Sequence, residues 1–173
     1  NLPILERLGV LDQVAEIGMP KYGAEFNSHE RRVTRSTFYF SKAVDKAHPM
    51  AYEVKRAEFD HILIRNSVAN NVLVYEGCSV KNVDLEGEQK IVQVQNPQGK
   101  SESCQCRYVV DASGRDTFIS KRLGLKQKNP KHNSAAIYSH FRNVVRRSGK
   151  DEGNISLYWF KHGWFWMIPL KDG

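Results

Sequence analysis

Tyr108-Val109-Val110-Asp111-Ala112-Ser113-Gly114-Arg115 is an apolar run that stops at an acid and continues in small residues. It reads as a buried strand ending in Asp111. In open α/β sheets ligands sit beyond the carboxyl ends of such strands, where small residues let backbone N–H groups approach a phosphate with no Cβ in the way. The same residues also make an ordinary strand-to-helix turn in which Asp111 or Ser113 caps the next helix. Working outward, it closes the last of three strand-like runs, at 80–85, 90–94 and 103–110, the last two separated by the turn Asn96-Pro97-Gln98-Gly99. A short helix is expected at 117–123.

Further back, residues 56–69 carry Phe59, Ile62, Leu63 and Val68 at helical spacing, with Glu58 and Asp60 suited to the helix N-terminus. The run 71–77, apolar and closed by Gly77, has the form of a strand following a crossover helix. Near the start, Ile4, Leu5, Leu8, Leu11 and Val14 predict one amphipathic helix over 3–16, stopped by Gly18-Met19-Pro20. One strand is expected at 37–41, and antiparallel strands at 135–142, 155–160 and 164–170. The fold class predicted is α/β: part of a Rossmann-like nucleotide-binding domain with a β-meander over 1–129, passing into a β-rich domain over 130–173.

The chain of 173 residues is 40% hydrophobic and 26% charged, which is ordinary for a globular protein. It has no apolar run long enough to span a membrane and no signal-peptide pattern. It opens on Asn1 rather than methionine and stops at a Lys171-Asp172-Gly173 turn, so it is expected to be an internal piece of a longer protein. Three cysteines, with Cys104 and Cys106 two apart, and six histidines without metal-ligand spacing predict no metal site. Reduced thiols in a cytoplasmic protein account for them simply. The net charge of +7 comes from clusters around Arg31-Arg32-Arg35, 121–131 and 142–150. No nucleic-acid-binding motif accompanies them, so solvated charge is expected rather than specific nucleic-acid recognition.

Trp164-Phe165-Trp166-Met167-Ile168-Pro169 places two indoles on one face of a strand that Pro169 ends. On its own this is either an aromatic core strand or a built wall. Its W-x-W-x-I-P pattern resembles the motif of flavin-dependent halogenases. Tyr108–Arg115 is similar to the second FAD-contacting motif of the flavoprotein monooxygenase and halogenase superfamily, and Arg56-Ala57-Glu58-Phe59-Asp60 to that superfamily's R-x-x-F-D helix start. Lys21-Tyr22-Gly23-Ala24-Glu25-Phe26 is similar to the K-x-G-x-x-F context of the essential lysine in halogenases acting on phenolic or carrier-bound substrates.

The resemblance covers essentially the whole chain and implies a set of expectations. FAD, reduced by a separate flavin reductase, is the cofactor, and a halide ion is a substrate. Arg56, Val80, Asp111, Ala112, Ser113 and Gly114 contact the cofactor. Lys21 binds hypohalous acid or becomes a haloamine, and directs the halogen to a small-molecule or carrier-protein-bound substrate. Trp164, Trp166, Ile168 and Pro169 separate flavin from substrate. The family's G-x-G-x-x-G lies before the first residue of this chain and a further FAD-contacting Gly-Asp segment after its last, so the chain alone is expected to be inactive. Two other readings stay open: an FAD-dependent monooxygenase or prenyl reductase of the same fold, and a non-catalytic binding module whose basic clusters dock an acidic partner.

Overall fold

A computed structural model describes residues 2–28, 35–44, 47–131 and 134–172. The chain divides into two units, one formed by 1–74 with 139–173 and the other by 75–138. The mixed α/β class expected from sequence is the class observed.

In the first unit the expected helix at 3–16 is two helices, α1 (Leu2–Arg7) and α2 (Leu11–Ile17). The break falls at Gly9, whose φ of +69° is open to glycine and costly for other residues. The corner lets Leu2, Leu5, Val10 and Val14 form one buried cluster, against which Met50, Tyr52, Val54, Phe59, Ile62 and Leu63 lie partly buried. The last three belong to α3 (Arg56–Ala69), which has the bounds the periodicity predicts. Core formation thus follows the i, i+3, i+4 pattern of apolar residues on both sides.

Two sheets complete this unit. Strand β1 (Met19–Lys21) pairs antiparallel with β4 (Ala51–Glu53). A four-stranded sheet runs in the order β3 (Arg35–Tyr39), β2 (Gly23–Ser28), β8 (Ile155–Phe160) and β9 (Gly163–Met167). Its β2–β8 pair is parallel and its other pairs are antiparallel. The register puts Phe26, Leu157, Trp159, Trp164 and Trp166 on one face, and Glu25, Asn27, Ser156, Tyr158 and Phe165 on the other. Gly23 is required where β2 meets β3, because a Cβ there would lie 2.5 Å from the Phe38 carbonyl oxygen.

The second unit is the expected meander, β5 (Ser79–Asp84), β6 (Lys90–Gln95) and β7 (Ser101–Cys106), followed by α4 (Phe118–Arg122). Asn96 closes the β6–β7 hairpin by accepting the Gln98 and Lys100 amides on its side-chain oxygen.

Three strand expectations are corrected. Residues 71–77, 108–110 and 135–142 form no strand. Asn71, with φ +63°, turns the chain out of α3, and Val72 hydrogen-bonds back to Ser67 rather than to a neighbouring strand. Leu73, Tyr108, Val110, Ile137 and Tyr138 are exposed. Apolar β-prone sequence becomes strand only where another strand completes its ladder, and none among the described residues pairs with these runs. The expected burial of Tyr108–Val110 is therefore also absent.

Candidate active site

Lys21 ends β1, and the register sets it opposite Ala51, with Met19 opposite Glu53. Residues two apart on a strand share a face, so Lys21 and Glu53 are diagonal neighbours, close enough for long side chains to meet. They do: Lys21 Nζ lies 2.5 Å from Glu53 Oε1, with the two side chains only 18% and 14% exposed. The ammonium also sits 5.9 Å from the centre of the Phe40 ring.

The chain around Lys21 is fixed from a distant part of the sequence. Asn154, 1% exposed, accepts the Tyr22 amide on Oδ1 at 3.1 Å and donates to Asp151 at 2.8 Å. Its neighbour Gly153 lies so close to β1 that an added Cβ would be 1.9 Å from the Pro20 carbonyl oxygen. The amide of Phe40 donates to the Tyr22 carbonyl at 2.9 Å. Lys21 is thus a partly buried, paired lysine on a clamped backbone, rather than a solvated loop residue. Glu53, Gly153 and Asn154 received no role from the sequence. Their signal was available in Glu53-Val54-Lys55-Arg56 and Gly153-Asn154, but only the register reveals what they face.

Beside this strand junction, the polar face of the four-stranded sheet holds a buried ion cluster. Glu25, 3% exposed, accepts from Arg147 at 2.5 Å and from Asn27 at 3.0 Å, and pairs with Arg35. Arg147 also donates to Ser156 Oγ at 2.5 Å and to the Asn154 carbonyl at 3.0 Å. Burial raises the Glu25 carboxyl, but the Asn27 hydrogen bond and the Arg147 and Arg35 charges outweigh it and hold the group below its usual value of 4.5. Arg35 and Arg147 were read from sequence as members of solvated basic clusters. Arg147 turns inward and is 23% exposed, Arg35 stays largely exposed while reaching Glu25, and Arg31 and Arg32 lie outside the described residues. Tyr39 donates to Asp151 at 3.2 Å, and that bond raises the phenol above its ordinary value.

On the opposite face, Trp159 stands across from Trp164, Leu157 stands across from Trp166, and Phe26 meets Trp159 with ring centres 5.8 Å apart. Trp164 and Trp166 share a face, as their spacing predicts, and both are about half exposed. Ile168 and Pro169 follow the end of β9, where a residue without an N–H costs no ladder bond.

The residues expected at the cofactor fall in both units. Arg56 opens α3 in the first, 81% exposed, and pairs with Asp60 through contacts of 3.0 and 3.1 Å. Val80 lies in β5 of the second, beside the register shift between Val80 and Asn82. Asp111 accepts the Ser113 amide at 3.0 Å and the Ile119 amide at 2.8 Å, and Ser113 Oγ accepts the Phe118 amide at 3.0 Å. Hydrogen bonds from the Ser113 side chain and from the Ile119 and Ser113 amides hold Asp111 below the usual carboxylate value. The capping reading of this turn is the one observed: Asp111 and Ser113 accept the first amides of α4. At Gly114, φ is +61° and nothing lies within 4 Å of the Cβ position. Among the described residues no group of three metal-ligating side chains forms, and no helix is long and apolar enough to cross a membrane.

The family model described as tryptophan halogenase matches residues 12–173. The chain is 27% identical to the 1H-pyrrole-2-carbonyl-[peptidyl-carrier protein] chlorinase of Pseudomonas fluorescens, covering 98% of this chain and 43% of that protein. It is 30% identical to the tryptophan 2-halogenase of Chondromyces crocatus, over 70% of this chain and 24% of that one. Among solved structures it superposes on the myxobacterial chondrochloren halogenase CndH, an FAD-dependent halogenase, with a TM-score of 0.78 and 32% identity. That match covers 98% of this chain and 39% of that one. The chain spans less than half the length of each of these relatives.

Proposed function

This chain belongs to the tryptophan halogenase family of flavin-dependent halogenases, and from that membership we propose that it is part of an enzyme halogenating an electron-rich carbon at the expense of reduced FAD, oxygen and a halide. The observation that carries the reading is Lys21: it stands in the K-x-G-x-x-F context, largely out of water and held on a clamped strand. When bound, FAD supplies with oxygen and halide the hypohalous acid that the reaction consumes. Lys21 receives that species and fixes where it is delivered; its ammonium donates a hydrogen bond that polarises the oxygen–halogen bond.

The face of Trp159, Trp164 and Trp166, continued by Ile168 and Pro169, forms the rigid wall that keeps substrate from direct contact with flavin. In the first unit Arg56 offers the cofactor charge-assisted bonds to its phosphates; considered by itself, the second unit offers Val80 and the backbone N–H groups of the Asp111–Gly114 turn. The pyrrole-carrier chlorinase and brominase among the relatives support a carrier-bound or small aromatic substrate. A separate flavin reductase and a cytoplasmic setting belong to the same proposal. So does the division at residue 130, in which β2 and β3 extend the sheet of the later, substrate-binding segment.

The test uses the full-length protein carrying this chain, with reduced FAD, oxygen and bromide, and a diffusible reagent that captures hypobromous acid. Bromide-dependent bromination above a free-flavin control is expected. Oxygen consumption with hydroxylated product and no bromide dependence overturns the reading.

A further inference from the structure

We propose that Glu53 is the positioning residue for Lys21: its carboxylate holds the ε-ammonium in a close, largely buried ion pair, so that the amine is kept in one place for the reactive halogen species. The inference rests on the halogenase reading for its consequence, but on geometry alone for the pairing.

A lysine side chain has four rotatable bonds and a compact charge, so a lysine without a fixed partner samples many positions. Here three independent features remove that freedom. The antiparallel register of β1 and β4 makes Lys21 and Glu53 same-face diagonal neighbours. Nζ and Oε1 meet at 2.5 Å with both side chains mostly out of solvent, where a pair is far less screened than on the surface. The backbone carrying Lys21 is tied by the Tyr22–Asn154 hydrogen bond and by Gly153 against Pro20, so the side chain starts from a fixed root. The Phe40 ring covers another side of the charge. Holding the amine in one place is what converts capture of a diffusible oxidant into directed delivery.

Among the described residues Glu53 forms its ion pair with Lys21, and the Oε1 that meets Nζ is buried. Glutamine at this position keeps the shape and removes the charge, so Glu53→Gln separates the pairing from simple packing.

The experiment compares wild type, Glu53→Gln, Glu53→Asp, Lys21→Ala and the double variant Lys21→Ala/Glu53→Gln as full-length proteins loaded with FAD. Glu53→Gln is expected to lower substrate halogenation at least tenfold while flavin oxidation stays within twofold, with more hypohalous acid escaping to a diffusible trap. Glu53→Asp is expected to restore part of the loss. Adding Glu53→Gln to Lys21→Ala is expected to cost nothing further, because Glu53 acts through the lysine. Wild-type halogenation in Glu53→Gln, or a full additional loss in the double variant, overturns the proposal. A second readout needs no halogenase activity: acylation of Lys21 by a water-soluble anhydride at fixed pH, followed by mass spectrometry. Glu53→Gln is expected to speed it at least threefold, and an unchanged rate overturns the pairing even if the halogenase reading stands. Accelerated acylation together with absent wild-type halogenation would leave the pairing intact and remove the halogenase reading instead.

Discussion

Arg147→Met tests the ion cluster that ties β2 to β8. The arginine donates to Glu25, Ser156 and the Asn154 carbonyl, and its removal leaves a carboxylate that is 3% exposed with Arg35 as its remaining cationic partner. Breaking one side of a buried pair costs about 3–5 kcal/mol, because the abandoned charge stays desolvated. Arg35 still offsets part of that charge, so the expected loss is about 3 kcal/mol, at the lower end of the range. For a protein of this size that lowers the melting temperature by about 10 °C. All three tryptophans lie between residues 159 and 166, so their fluorescence reports unfolding of the unit that contains the cluster. Denaturation in urea, followed at this signal, gives the difference directly. Arg147→Met/Glu25→Leu removes both charges and is expected to recover most of the stability, since a matched apolar pair costs little relative to a buried ion pair. A loss below about 1 kcal/mol in the single variant, or a double variant as unstable as the single, would refute the cluster as the tie between these strands.

Glu25 also sets an acid limit. A carboxyl held below its ordinary value contributes stability that is complete above that value, here 4.5, and is lost as pH falls through the lower folded-state value. Wild type is therefore expected to lose stability below about pH 4.5, and Glu25→Gln to show a flatter acid limb; parallel profiles would contradict this. Gly153→Ala forces a Cβ to within 1.9 Å of the Pro20 carbonyl oxygen, so β1 must shift. A cost of about 1–3 kcal/mol in urea unfolding is expected, with halogenation falling more than tenfold; normal activity at normal stability would show that the clamp does not set the position of Lys21. Asp111→Ala removes the acceptor of the Ile119 and Ser113 amides, and hydrogen exchange at both is expected to accelerate at least fivefold. Unchanged protection would mean that Asp111 does not cap α4.

What the sequence made legible follows a physical division. Helix α3 and strand β8 have the bounds their patterns predict, because Phe59, Ile62 and Leu63 bury one stripe and Ile155–Phe160 finds partners on both sides. The single helix expected at 3–16 failed at Gly9, where a glycine that helical spacing tolerates instead takes a left-handed turn. Residues 71–77, 108–110 and 135–142 have strand-like composition, but a ladder is a property of two segments and composition describes only one. The shared face of Trp164 and Trp166 was readable because it depends only on alternation. The Lys21–Glu53 pair was not, since it joins residues 32 positions apart through a register that tertiary packing sets. The inward turn of Arg147 and the pairing of both Arg147 and Arg35 with Glu25 were hidden for the same reason: the charge count shows cations, and only the sheet shows Glu25 between them.

The central claim is that Lys21 directs the halogen, and the most direct measurement compares wild type with Lys21→Ala in the full-length protein under identical flavin turnover. The variant is expected to oxidise reduced FAD at the wild-type rate while product halogenation falls by at least a hundredfold. Halogenation of substrate by Lys21→Ala at the wild-type rate and position would contradict it.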